Sequence, residues 1–330
     1  KHSDLAADPK NRSLLEGWAK EDARYILSLA TQTQLGMTVN ARNLELVLRR
    51  MAAHPLAEAN EYGQKLYAVV KPITPSLIRY TEKTDYDART GSDLRDRLTG
   101  LLASLPEERK TAPQTAAVSL IRTTPDADIW VLAAFLHGAT NRAHADCLRL
   151  AAALSSAQKE SFFQTAFRHM KSHDVAPREL ECVDLTYDLI VSASCFAQLK
   201  RHRMATLLCQ NYDPSLDVTI PESIQEVGMD AGFYDMIKRT EDFYRKLLAA
   251  APNAADYSLT NAHRKRVLMK INARELYHIA RLRADSHAQW DIRNLAKEMI
   301  AQARTVMPLT LLLATGKDDF AARREEIYQN

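Results

Sequence analysis

Lys270-Ile271-Asn272-Ala273-Arg274-Glu275-Leu276, running on to Arg283 and His287, is a near copy of Thr38-Val39-Asn40-Ala41-Arg42-Asn43-Leu44, running on to Arg50 and His54. In each copy Asn-Ala-Arg opens a helical run, and an Arg and a His follow, four residues apart. Side chains at i and i+4 share one face of a helix, so both copies are expected to present the same two cations in one direction. In the later copy Leu276, Ala280, Arg283, His287 and Trp290 recur at steps of four, three, four and three, which places them on one stripe. An Arg and a His on an apolar stripe need compensation: either an Asp or Glu from a neighbouring element, or a bound anion. Arg274 and His278 form a second i,i+4 pair on an adjacent face. That density of donors favours a phosphate, a carboxylate or an ionisable pyrimidine.

The duplication also sets the domain reading. A chain of 330 residues has room for roughly two domains of about 150 residues each. Residues 115–330 read as one complete domain and residues 1–85 as the C-terminal half of a related one. The polar stretch before residue 115 carries Asp85, Asp87, Gly91, Ser92, Pro106 and Pro113. Its residues 86–114 read as a linker with one short helix at 94–105 and the boundary near residue 110. Only 9 Gly and 12 Pro among long Ala/Leu/Arg-rich stretches point to a helix-dominated α+β protein with few strands. Val183, Leu185, Tyr187 and Leu189 alternate with Asp184, Thr186 and Asp188, the period-2 pattern of a half-buried strand. A second candidate strand is 117–122. After it, Thr124-Pro125-Asp126 is expected to cap and start a helix over 127–137.

An apolar fraction of 46% and a charged fraction of 26% are those of an ordinary globular protein. A net charge of +3 is too mild to argue for nucleic acid. It fits either a solvated surface or clustered arginines that hold an anionic ligand. Cys147, Cys182, Cys195 and Cys209 form no CxxC pair and no zinc spacing, and read as reduced thiols of a cytoplasmic protein. The longest apolar runs, such as 307–314, are too short to span a bilayer, and no targeting segment is expected. Lys1 is not a methionine, so the chain is expected to begin inside a longer gene product. His137, His144, His169 and His263 lack ligand-spaced partners, so no metal site is expected. With no GxGxxG and no Walker loop, a dinucleotide would have to be held by side-chain cations.

A second basic cluster is Gln198-Leu199-Lys200-Arg201-His202-Arg203, directly after the Val183–Leu189 pattern and a short helix at 192–197. Taken alone, it reads equally as a diphosphate cradle or as a solvated helix end. Arg201-His202-Arg203, followed later by Asn272-Ala273-Arg274, His278 and the run Leu282-Arg283-Ala284-Asp285-Ser286-His287-Ala288-Gln289-Trp290, resembles the flavin-dependent thymidylate synthases, the ThyX family. His173-Asp174-Val175-Ala176-Pro177 is similar to a histidine-containing loop upstream in that family. The resemblance covers residues 115–330, and the back half of the fold again in residues 1–85.

The resemblance implies a helix-rich ThyX-like fold with a small, mostly antiparallel sheet, present here as one complete and one partial repeat. It implies FAD, reduced by NADPH, with methylenetetrahydrofolate supplying a one-carbon unit to dUMP and no cysteine nucleophile. It also implies a homo-oligomer, a dimer of tandem repeats or a tetramer, with sites shared between protomers. Gln198, Lys200, Arg201, Arg283 and Arg24 are then expected at the nucleotide, with Arg283 catalytic because it helps to ionise the pyrimidine. His173, Arg201, His202, Arg203, Asn272, Ala273, Arg274, His278 and His287 are expected at FAD, together with Asn40 and Arg42 of the first copy.

The departures are specific. After Arg-His-Arg the family carries Ser or Thr, then Asn-Glu, then a Ser and an Arg that grip the nucleotide. Here Thr206 alone keeps the expected type. Leu208 and Cys209 stand for Asn-Glu, Asn211 for the serine and Asp213 for the arginine. An acid in place of a phosphate-binding arginine repels the ligand. Sixteen residues before Asn272 lies Asp256, where the family has another nucleotide-binding arginine; sixteen before Asn40 lies Arg24. The first copy in turn has Leu46 in place of His278. These opposite losses point to one composite site, with Arg24 from the first repeat and 198–203 from the second. The alternatives are a catalytically degenerate flavin- or nucleotide-binding or structural subunit, and a flavin enzyme that modifies another pyrimidine nucleotide.

Overall fold

The computed structural model describes residues 3–104 and 116–328; the boundary expected near residue 110, with Pro106 and Pro113, lies outside them. The chain divides into two compact units, one of residues 1–28, 115–239 and 260–330, the other of residues 29–114 and 240–259. These limits differ from the expected 1–85, 86–114 and 115–330, and the reason is pairing between segments far apart in sequence. Ser28 bridges antiparallel to Thr260, Ala262 and Asn261 donate their N–H groups to the carbonyls of Tyr25 and Leu27 at 2.9 Å, and Tyr25 is fully buried. Residues up to 28 are thereby built into the first unit.

That unit holds a four-stranded antiparallel sheet of order β1-β2-β4-β3, with β1 Val118–Thr123, β2 Asp184–Ser192, β3 Thr206–Tyr212 and β4 Arg264–Asn272. The alternation read in the sequence decides its register. Leu185, Tyr187 and Leu189 pair with Ile271, Met269 and Val267, and all six are buried on one face. Burying each such side chain contributes roughly 1.5–3 kcal/mol. The opposite face carries charge pairs, Asp188 with Arg266 at 2.9 Å and Asp184 with Lys270 at 2.7 Å. Helices Ala273–Arg283 and Trp290–Val306 complete the apolar core through Leu276, Ala280, Ile292 and Met299.

The helix expected at 127–137 spans Ala127–Ala139, but its start differs from the expectation. Asp126 precedes it in the left-handed region (φ 51°), and no side chain caps it. The Thr124 hydroxyl instead accepts from the Asp184 N–H at 2.9 Å, tying β1 to β2. A second departure lies at the end of Ala273–Arg283. His287 is not on the Arg283 helix, because the helix stops at Arg283. The Asp285 carboxylate accepts from the His287 backbone N–H at 3.0 Å, an Asx-type turn that diverts the chain. Gly316 permits that turn: a Cβ there would lie 2.6 Å from the Ala284 carbonyl oxygen. In the first copy the helix Ala41–Ala52 likewise ends before His54.

The second unit is built from the helices Ala41–Ala52, Ala57–Val70 and Asp85–Ser104 with the tail of the helix Asp230–Ala250. The helix expected at 94–105 starts nine residues earlier than read, at Asp85. Thr84 and Asp87 cap it reciprocally, Thr84 N–H to Asp87 Oδ2 at 3.1 Å and Asp87 N–H to Thr84 Oγ1 at 3.2 Å. Among the described residues no helix is long and apolar enough to cross a membrane.

Candidate functional site

Two strand ends and one anchored segment of the first unit build the site. β2 ends at Ser192, whose hydroxyl accepts from the Cys195 N–H at 2.9 Å and so caps the helix Ala193–Leu199. β4 ends at Asn272, whose side chain accepts from the Glu275 N–H at 2.8 Å and caps Ala273–Arg283. Each cap contributes about 1 kcal/mol. The two helices meet where Arg283 Nη1 donates to Gln198 Oε1 at 2.9 Å. The segment Arg24–Ile26 is seated by Tyr25, whose hydroxyl donates to Asp291 at 2.9 Å, and by the Asn261 amide, which donates to the Arg24 carbonyl at 3.0 Å.

These elements enclose an open cavity of about 520 Å³, within the roughly 300–1,000 Å³ of small-ligand sites. Arg24, Gln198, Arg201 and Arg283 all line it, as do Arg281 and Lys317; the carboxylates on its wall are Glu21 and Asp285. The guanidinium of Arg283 has its pKa lowered first by burial and then by Arg201. Two like charges brought together in this way are relieved by an arriving anion. A planar guanidinium that keeps its charge when partly buried suits phosphate or an ionised pyrimidine ring.

The remaining expected residues fall into three groups. His287 lines the cavity with its side chain 88% exposed, its Nδ1 2.8 Å from Asp285. His278 is exposed, its Nδ1 3.3 Å from Arg281, and does not line the cavity; partial burial of the ring lowers its pKa. Lys200 and Arg203 are also exposed, on the turn after Leu199, but neither lines the cavity; the Lys200 ammonium lies over the Phe196 ring at 5.9 Å.

The second group is turned inward, contrary to expectation. His202 is buried between Glu275, 3.1 Å from its Nδ1, and Arg283, whose Nε donates to its Nε2 at 3.1 Å. Ala273 is fully buried under Val183, and Asn272 is committed to its cap. Arg274 is committed to Glu181 at 2.6 Å and to the Ala176 carbonyl at 2.8 Å. It therefore holds the loop that contains His173, which is itself exposed and 3.7 Å from Asp174. In the third group, Asn40 and Arg42 lie in the second unit, where Asn40 caps its helix through the Asn43 N–H at 2.9 Å. The run from Leu208 to Asp213 forms the exposed edge strand β3 and a turn in which Asp213 accepts from the Ser215 N–H.

Sequence reasoning missed Glu275, Arg281, Asp285 and Lys317. Glu275 directly follows Asn-Ala-Arg, and Arg281 lies three residues after His278 on the same helical face, so both carried a local signal. Lys317 carried none, because only the fold brings 317 beside 283. For FAD, the chemistry of the donor set provides the test. Arg201, Arg281 and Lys317, set against only two carboxylates on the cavity wall, fit the diphosphate of a dinucleotide.

Comparison with known proteins gives the family. The family model described as thymidylate synthase complementing protein matches residues 2–76 and 119–309. A UPF0159 protein from Chlamydia muridarum is 26% identical over 84% of this chain, which covers 53% of that protein. The chain thus spans about half the length of the curated relatives it matches. A flavin-dependent thymidylate synthase from Haloarcula marismortui is 29% identical over 36% of the chain and 62% of its own length. A crystal structure of a UMP/dUMP methylase from Streptomyces cacaoi, bound with 5-Br dUMP, covers 62% of this chain and 94% of that one at 18% identity and a TM-score of 0.47. With its two matched stretches spanning most of the sequence, the chain belongs to the thymidylate synthase complementing protein family, ThyX.

Proposed function

We propose that this protein binds dUMP in the cavity lined by Arg24, Arg201 and Arg283 and takes part in flavin-dependent transfer of a one-carbon unit to the pyrimidine, with methylenetetrahydrofolate as donor and NADPH as reductant. The observation that carries this reading is the convergence of Arg24, from the first sequence copy, with Gln198, Arg201 and Arg283 from the second on one cavity. Arg24 takes the place of the arginine that Asp256 has replaced, and Arg201 is the second cation for the nucleotide phosphate. Arg283, a permanent cation at the pyrimidine, stabilises negative charge as the N3 proton passes to solvent through the open cavity, and so favours attack from the ring carbon. Gln198, held by Arg283, is oriented for the same ring. Bound FAD would supply the hydride chemistry, with Arg281 and Lys317 as the groups that would hold its diphosphate. The reading includes a cytoplasmic homo-oligomer whose chain carries one complete and one partial repeat.

A second reading, that of a flavin- or nucleotide-binding subunit without turnover, is favoured by the exposed β3 edge, where Leu208 and Cys209 replace Asn-Glu. Two measurements on purified protein separate the readings: the flavin absorbance spectrum, and product formation from dUMP against UMP as acceptor. Flavin bands with 5-methylated or hydroxymethylated dUMP support the enzyme. Flavin or nucleotide binding without product supports the second reading, and absence of both overturns the proposal.

A further inference from the structure

Arg283 is held by a chain of two buried groups that no cavity-lining role explains. Its Nε–H donates to His202 Nε2 at 3.1 Å, and His202 Nδ1 lies 3.1 Å from Glu275 Oε1. His202 is 4% exposed and Glu275 7% exposed. A guanidinium N–H only donates, so Nε2 must carry the lone pair and Nδ1 the proton. The imidazole is therefore the neutral Nδ1–H tautomer, and its proton points at the Glu275 carboxylate. Glu275 in turn is fixed in the first turn of its helix, where the Asn272 cap holds its N–H and the helix dipole favours its negative charge.

We propose that Glu275, acting through His202, is a positioning residue that presets the Arg283 guanidinium for the ligand of the cavity. Contacts on Nε and Nη1 leave the Nη2 amino group unspent by either partner. The guanidinium plane is thus defined from two sides, by His202 and by Gln198, before any ligand arrives. A guanidinium ordered in advance leaves less side-chain entropy to be lost when the ligand binds. Glu275, His202 and His278 also bring ligand atoms within 4.8 Å of one another. A metal ion is disfavoured there, because the proton on Nδ1 blocks ligation and Arg281 and Arg283 already donate to the two imidazoles.

The inference rests on the nucleotide reading for its consequence but not for its geometry, so two readouts separate them. In ligand-free protein carrying 15N-histidine, the His202 ring should show the Nδ1–H tautomer, and Glu275→Ala should move the Nδ1 resonance and speed exchange of its proton with water. An Nε2–H tautomer in the unmodified protein, or no change in Glu275→Ala, overturns the relay whatever the ligand. For the consequence, His202→Gln and His202→Asn are titrated with dUMP. The amide oxygen of Gln reaches the position of Nε2 and can still accept from Arg283, whereas that of Asn reaches only the position of Nδ1. Affinity should therefore stay near that of the unmodified protein in His202→Gln and fall about tenfold or more in His202→Asn. Equal losses in two variants of matched thermal stability contradict positioning. If the unmodified protein fails to bind dUMP while the tautomer is as stated, the nucleotide reading fails and the relay stands.

Discussion

The indole of Trp290 stacks on the ring of Tyr25, with centroids 5.4 Å apart and planes 20° from parallel. The indole N–H donates to Asp22 at 2.9 Å, and the Tyr25 hydroxyl donates to the half-buried Asp291 while accepting from Gln289 at 2.9 Å. Residues 22 and 25 are thus locked to the start of the helix Trp290–Val306, and Arg24 between them is delivered to the cavity. A small apolar cluster of Tyr25, Val218, Phe233, Ile237 and Ala262 seals the anchor from the other side.

Tyr25→Phe keeps the ring stack and removes the hydroxyl. Half-buried Asp291 then loses a donor and buried Gln289 an acceptor, at about 1–3 kcal/mol. Urea unfolding should show that loss, together with weaker dUMP binding because the Arg24 segment loosens. A variant as stable as the unmodified protein would show that the stack alone holds the segment.

Gly316→Ala tests the turn after the Arg283 helix. The new Cβ would press on the Ala284 carbonyl carbon and oxygen, at 2.8 and 2.6 Å. The backbone of Ala284 and Asp285 must move, an overpacking strain of typically 1–3 kcal/mol. Thermal unfolding should shift downward and dUMP affinity should fall together, since Asp285 and His287 border the cavity. A stability loss with unchanged affinity would separate this turn from the site.

His263 makes acid stability a report on the Arg24 seat. It is fully buried, its Nδ1 accepts from the Thr260 N–H at 2.9 Å, and burial lowers its pKa to about 4. The unfolded chain protonates near 6.5, so the unfolded state binds more protons in between. This contribution is intact above about pH 6.5 and is lost as pH falls from there to about 4, by up to roughly 3 kcal/mol. Urea midpoints measured across that window should fall in the unmodified protein and fall less in His263→Gln. Parallel profiles would show that His263 does not titrate in this range.

Strand β2 was legible because Leu185, Tyr187 and Leu189 alternate with polar residues, a pattern that admits one buried face, whereas β3 and β4 show no such alternation and were not read as strands. The anchoring helix was legible because Asn272 and Asn40 are caps as well as motif letters. The position of His287 was not, since the sequence carries helical spacing across Asp285 and only the Asx turn and Gly316 break it. Nor was the inward turn of His202: Arg-His-Arg reads as three surface cations, and the burial of the middle one depends on Glu275, 73 residues away. The unit limits escaped for the same reason, because Ser28 and Thr260 are joined only by tertiary pairing.

In the proposed function Arg24 and Arg201 grip a single anion. Titration of dUMP by calorimetry into the unmodified protein and Arg24→Ala measures this directly, because Arg24 is exposed and its truncation should leave thermal unfolding unchanged. Removing one charge-assisted phosphate contact should weaken binding about tenfold or more. Equal affinity in the two proteins would contradict the shared site.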